Sequence, residues 1–104
     1  QVTPMLRATH TRYRGRLAAA TGEDGAAEAL AVAERFYAEL GMRAYAAVTR
    51  IERAECLIAR GELEEGEALI PAARQVFLEL KARPWLARAD GLAEKTGSDA
   101  VFSA

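Results

Sequence analysis

The chain has 104 residues, 14 Lys and Arg against 15 Asp and Glu for a formal net charge of -1, and 51% hydrophobic residues. That length holds one small domain, a charged fraction of 28% is ordinary for a globular protein and excludes a disordered tail, and no apolar run approaches the ~20 residues of a membrane span. A single Cys and a single His exclude a disulfide framework, a multi-cysteine zinc site and a two-histidine metal site, so no metal or cofactor is expected.

Taken in chain order, the residues predict helix, turn, helix throughout. β-branched residues are sparse and no segment alternates with period two, so the expected class is all-α. Breaks are predicted at Thr21-Gly22-Glu23-Asp24, Gly41-Met42, Gly61-Glu62 and Thr96-Gly97, with another between Ala82 and Pro84. The first segment offers Leu6, Tyr13, Leu17 and Ala20 as its apolar stripe. The second starts at an Asp24 N-cap and offers Ala26, Leu30, Ala33, Tyr37 and Leu40. Ala44, Ala47, Val48, Ile51, Ala54 and Ile58 follow in the third, and Leu69, Ala73, Val76, Phe77 and Leu80 in the fourth. Pro71 interrupts that fourth segment and predicts a kink, with a helix restarting at Pro71 as the alternative. The fifth segment carries Trp85, Ala89 and Leu92. About five helices result, and linkers of about two to five residues fold them into antiparallel hairpins.

The chain also repeats itself. Leu17-Ala18-Ala19-Ala20-Thr21-Gly22-Glu23 matches Cys56-Leu57-Ile58-Ala59-Arg60-Gly61-Glu62 at an offset of 39, and Glu28-Ala29-Leu30 matches Glu67-Ala68-Leu69. One residue is then gained: Tyr37-Ala38-Glu39-Leu40 matches Phe77-Leu78-Glu79-Leu80, and Arg43-Ala44-Tyr45 matches Arg83-Pro84-Trp85, both at 40. Ala precedes an aromatic ring by four in each copy (Ala33 and Tyr37, Ala73 and Phe77), a small-then-large pattern that lets helices interdigitate. A unit of this kind buries its stripe only against a neighbour, which predicts a short right-handed α-solenoid over residues 1–97 and a tail or linker over 98–104. The fifth helix then opens a third unit whose second helix is missing.

A Leu/Ala-rich helix, a Gly-Glu turn, a Glu-Ala-Leu helix and an aromatic-x-x-Leu ending resemble tetratricopeptide-like repeats of a long type. The stretch from Phe77 to Ala89 is similar to the helical-repeat region of large bacterial signal-transduction ATPases and LuxR-type or adenylate-cyclase-linked regulators. The resemblance implies a cytoplasmic, non-catalytic scaffold that contacts a protein partner or sister domains. Neither the Gly-x-x-x-x-Gly-Lys loop nor the helix-turn-helix of such regulators occurs here. Gln1 stands first with no secretory pattern behind it, so the chain reads as a piece of a longer polypeptide.

Candidate sites are few. His10 and Tyr13 have no acid near them in residues 1–22, which argues for packing over base catalysis. Cys56 reads as a small packing residue whose pKa Arg53 and Arg60 would lower slightly. Arg7 and Arg14 lie on one flank of the first stripe and Arg12 and Arg16 on the other, a solvated rim rather than a phosphate track, so nucleic acid is not expected as a partner. The run Glu62 to Glu67 opens a helix, where carboxylates suit the dipole. No catalytic constellation can be assembled, and no enzyme activity is expected. By wheel position, Arg12, Arg16, Arg43, Arg50 and Arg53 are the predicted partner-contact surface. Two other readings stand beside it: an inducer pocket lined by Tyr37, Tyr45, Phe77 and Trp85, and a homodimer formed through the open Trp85 end.

Overall fold

The computed structural model describes residues 3–103, and side-chain surroundings through Gly97. Among the described residues there are six helices and no strand: α1 (Pro4–Thr21), α2 (Ala26–Glu39), α3 (Arg43–Ala59), α4 (Leu63–Ala68), α5 (Ile70–Leu80) and α6 (Arg83–Ser103). Helix α2 packs on α1 and α3, α3 also packs on both α4 and α5, and α6 packs on α5, while α1 meets α3, and α3 meets α6, more lightly. None of the described helices is long and apolar enough to cross a membrane.

Four of the helices end in one way. The amide five residues on donates back over the last turn at 2.9 Å: Glu23 to the Ala18 carbonyl, Met42 to Tyr37, Glu62 to Leu57 and Ala82 to Phe77. These caps recur at offsets of 39 and 40, as the repeat requires. Closing a helix this way needs one left-handed residue, supplied by Gly22, Gly41 and Gly61 and, at the fourth, by Lys81 with φ 56°.

The core runs through Ala27, Ala47, Ile51, Ala54, Ile58, Ile70, Ala73, Phe77 and Ala89. Tyr37 and Phe77 are both fully buried, and each stacks on the aromatic eight residues later: Tyr37 on Tyr45 with centroids 5.3 Å apart, Phe77 on Trp85 at 5.9 Å. The interplanar angles are 24° and 27°, so the two copies use one contact. An ion pair recurs with its charges exchanged. Glu34 on α2 accepts from Arg50 on α3, and forty positions later Arg74 on α5 donates to Asp90 on α6.

Several expectations are overturned. The stripe of α1 faces outward: Leu6, Tyr13 and Leu17 are 43%, 61% and 65% exposed, and Ala20 is exposed with them. Helix α1 packs instead through Ala8, Thr11 and Gly15, half a turn away, because small side chains let α2 come close. A Cβ at Gly15 would lie 2.9 Å from Leu30 Cγ. His10 and Tyr13 are consequently exposed rather than packed. Asp24 does not cap α2; the N-cap is Gly25, left-handed with φ 88°, and it makes no side-chain cap bond. The fourth segment is split, not kinked. Helix α4 ends at Ala68, Leu69 is the shared cap, and α5 restarts at Ile70 with Pro71 in its first turn, where the missing N–H is harmless. Finally, no break occurs at Thr96-Gly97, since α6 continues to Ser103. Thr96 is buried and its hydroxyl donates to the Ala93 carbonyl, satisfying itself within the helix.

Candidate functional site

Helix α3 touches both α1 and α6, and between the three opens a groove of about 510 Å³. Its walls are Arg16 and Ala19 of α1, Ala26 and Leu30 of α2, Glu52, Glu55, Cys56 and Ala59 of α3, and Arg88 of α6, with Glu23, Asp24 and Arg60 at the rim.

Two guanidinium–carboxylate forks tie the three helices together. Arg12 Nε donates to Glu52 Oε1 at 2.7 Å and its Nη2 to Oε2 at 2.8 Å, while Arg16 Nε stands 3.5 Å from the same carboxylate. Arg88 repeats the geometry on Glu55 at 2.6 Å for both bonds. Parallel N–H···O bonds of this kind fix orientation as well as distance. Hydrogen bonding to the carboxylate holds each guanidinium, Arg12 and Arg88, above its ordinary pKa, against the opposing effect of burial. Arg88 also lies 4.6 Å over the Trp85 ring, whose stacking partner is Phe77. Glu52 is buried, so its fork is the part of the network most protected from water. Arg16, Arg60 and Arg88, each near half exposed, are the groove's accessible cations.

Cys56 is half-buried in this wall. Burial pushes its thiol pKa up and outweighs the lowering by Arg60, the reverse of the sequence-based expectation. The thiol is therefore a packing group in its resting state.

The five predicted arginines do not converge. Arg12 and Arg16 belong to the groove network. Arg50 faces the other way: its Nε donates to the Leu69 carbonyl at 2.8 Å and its Nη1 to Glu34 at 2.9 Å, and Arg53 joins the same carboxylate at 3.1 Å. Arg43 pairs with Glu79 across the α3–α5 side. Arg43 and Arg50 line a smaller cavity of about 230 Å³ with Ala46, Ala47, Ala72 and Ala73. Arg50 thus braces the split in the fourth segment. Tyr37, Tyr45, Phe77 and Trp85 form the two stacks described above, and none of them lines either cavity. Trp85, between Phe77 and Arg88, is half-buried.

Comparison with family models, characterised proteins and solved structures finds no match. Geometry alone therefore picks out Glu52, Glu55, Arg60 and Arg88, which the sequence reading did not select. The partners of Glu52, Glu55 and Arg88 lie on other helices, up to 40 residues away, where local spacing carries no signal. The one hint was polarity: Glu52 interrupts the apolar run between Ile51 and Ala54.

Proposed function

We propose that the chain is a non-catalytic helical-repeat scaffold, its hairpins stacked as a tetratricopeptide-like right-handed α-solenoid, and that a protein partner or sister domain docks in the groove between α1, α3 and α6. The observation that carries the reading is the recurrence of whole contacts, not just residues, at offsets of 39 and 40: four equal caps, two equal stacks and one exchanged ion pair. Stacked units of this kind leave one helix of each hairpin facing a common groove. The groove carries both signs of charge with fixed orientation, which suits a polar peptide surface better than a phosphate chain. The resemblance to bacterial signalling regulators supports a setting within a larger regulator of transcription or signal transduction.

The test is site-specific photocrosslinking. Exposed Ala19 and Ala59 on the groove are replaced by a photoreactive residue, with exposed Ala87 on α6 as the control. Protein adducts from the two groove positions, weakened by the charge reversals Arg16→Glu and Arg60→Glu, are the expected result. Equal yields from all three positions would remove the groove as the docking site.

A further inference from the structure

The repeat registers one helix position against another. At offsets of 39 and then 40, His10, Tyr13 and Leu17 of α1 correspond to Thr49, Glu52 and Cys56 of α3 and to Ala89, Leu92 and Thr96 of α6. In α3 these positions are fully buried, buried and half-buried; in α6 they are fully buried, half-buried and fully buried. On α1 all three are exposed, with Tyr13 and Leu17 above 60%. The preceding hairpin packs closely on both of these helices, α2 on α3 and α5 on α6. Tyr37 stacks on Tyr45 and Glu34 pairs with Arg53, both from α2, while Arg12 and Arg16 of α1 close over Glu52.

We infer that the outward face of α1 is a docking surface for a further helical hairpin of this chain's own repeat chemistry. Its second helix would carry a Glu-x-x-aromatic pair like Glu34 and Tyr37, the ring over Leu6 and the carboxylate beside Arg14. The register sets both contacts: Leu6 corresponds to Tyr45, and Arg14 to Arg53. Arg14 is exposed, and none of the ion pairs among the described residues involves it. Charge argues against a second copy of α1 in that role. Residues 1–22 contain four Arg and no acid, so two such faces would oppose like charges. A partner with carboxylates flanking an apolar stripe meets the same face favourably. The inference rests on the stacked-repeat reading but not on the groove having a partner.

The experiment adds one unit to the full chain. A second copy of residues 4–42 is placed directly before Pro4, so that the added Glu34 and Tyr37 fall in register over the original α1. Tyrosine acetylation followed by mass spectrometry then reads each Tyr13, the two units being distinguished by isotope-neutral Ala→Ser tags at exposed Ala20. The original Tyr13 is expected to lose reactivity about tenfold, as a side chain moved into a protected contact does, while the new leading Tyr13 stays reactive. The changes Glu34→Gln and Tyr37→Ala in the added unit alone should restore it. An original Tyr13 that stays fully reactive overturns the inference, whether the added unit is helical or not. So does protection of Tyr13 in the unmodified chain that rises with protein concentration, which would show a second copy covering the face. A groove without a partner leaves this footprint unchanged, so the two readings fail separately.

Discussion

Replacing Gly66 by Ala inserts a methyl group into the contact between α4 and α3. The new Cβ would lie 2.7 Å from Ile58 Cγ1, 3.0 Å from the Ala54 carbonyl oxygen and 3.2 Å from Ile58 Cδ1. Ile58 is itself a core side chain, and the Ala54 carbonyl belongs to helix backbone, so neither gives way easily. Overpacking of this kind costs about 1–3 kcal/mol. Against it stands a helix-propensity gain of at most ~1 kcal/mol. The net expectation is a loss of about 1–2 kcal/mol, or a drop in Tm of roughly 5–10 °C for a domain this small. Gly91→Ala supplies the control. Nothing lies within 4 Å of its Cβ position, in the interior of α6, so the same exchange should stabilise by about 0.5–1 kcal/mol. Urea unfolding followed by helical circular dichroism measures both. A Gly66→Ala chain as stable as the parent, or a Gly91→Ala chain that loses as much, would mean that α4 does not press on α3 as described.

Other substitutions test the remaining contacts. Lys81→Gly removes the strain of a left-handed residue with a Cβ and should raise stability by about 0.5–1 kcal/mol; an unchanged urea midpoint would count against the cap at Lys81. Glu52→Gln leaves the largely buried Arg12 guanidinium short of its charged partner and should cost about 1–3 kcal/mol, with a double-mutant cycle against Arg12→Met showing the coupling. Tyr37→Ala and Phe77→Ala empty equivalent sites and should each cost roughly 3–5 kcal/mol; losses differing severalfold would break the equivalence. The Cys56 thiol holds its proton to a higher pH in the folded chain than in the unfolded one. Its contribution to stability is therefore complete below the unfolded pKa and disappears as pH rises through the folded value. Alkylation by iodoacetamide at mildly alkaline pH should run slower than in urea, and slower still in Arg60→Ala; faster reaction in the folded chain would contradict the burial.

Helices α2, α3 and α5 were legible because their contact residues are also their most apolar ones: Leu30, Ala33 and Tyr37, Ile51, Ala54 and Ile58, Ala73 and Phe77. Helix α1 misled for the opposite reason. It packs through Ala8, Thr11 and Gly15, where closeness replaces hydrophobicity, and its large side chains point outward. Gly97 looked like punctuation only because a glycine near a helix end and one inside a helix are the same letter; α6 continues through it. Pro71 alone is compatible with a kink or a restart, and what holds the joint lies far off in sequence: Arg50 of α3 donates to the Leu69 carbonyl. The forks of the groove lay beyond local reading altogether. Arg12 and Glu52 are separated by 40 residues, and Glu55 and Arg88 by 33.

The same forks bear on how stiff the molecule is. Helices α1, α3 and α6 touch each other only lightly, so on the groove side apolar packing holds them less firmly than on the opposite side, where α2 packs on α3 and α5 on α6. Two salt-sensitive clasps, one sheltered and one open to solvent, supply the direct ties on that side. Bending should therefore respond to ionic strength at the α3–α6 joint before the α1–α3 joint, a graded change in maximum dimension visible by small-angle scattering and absent if the curvature is rigid.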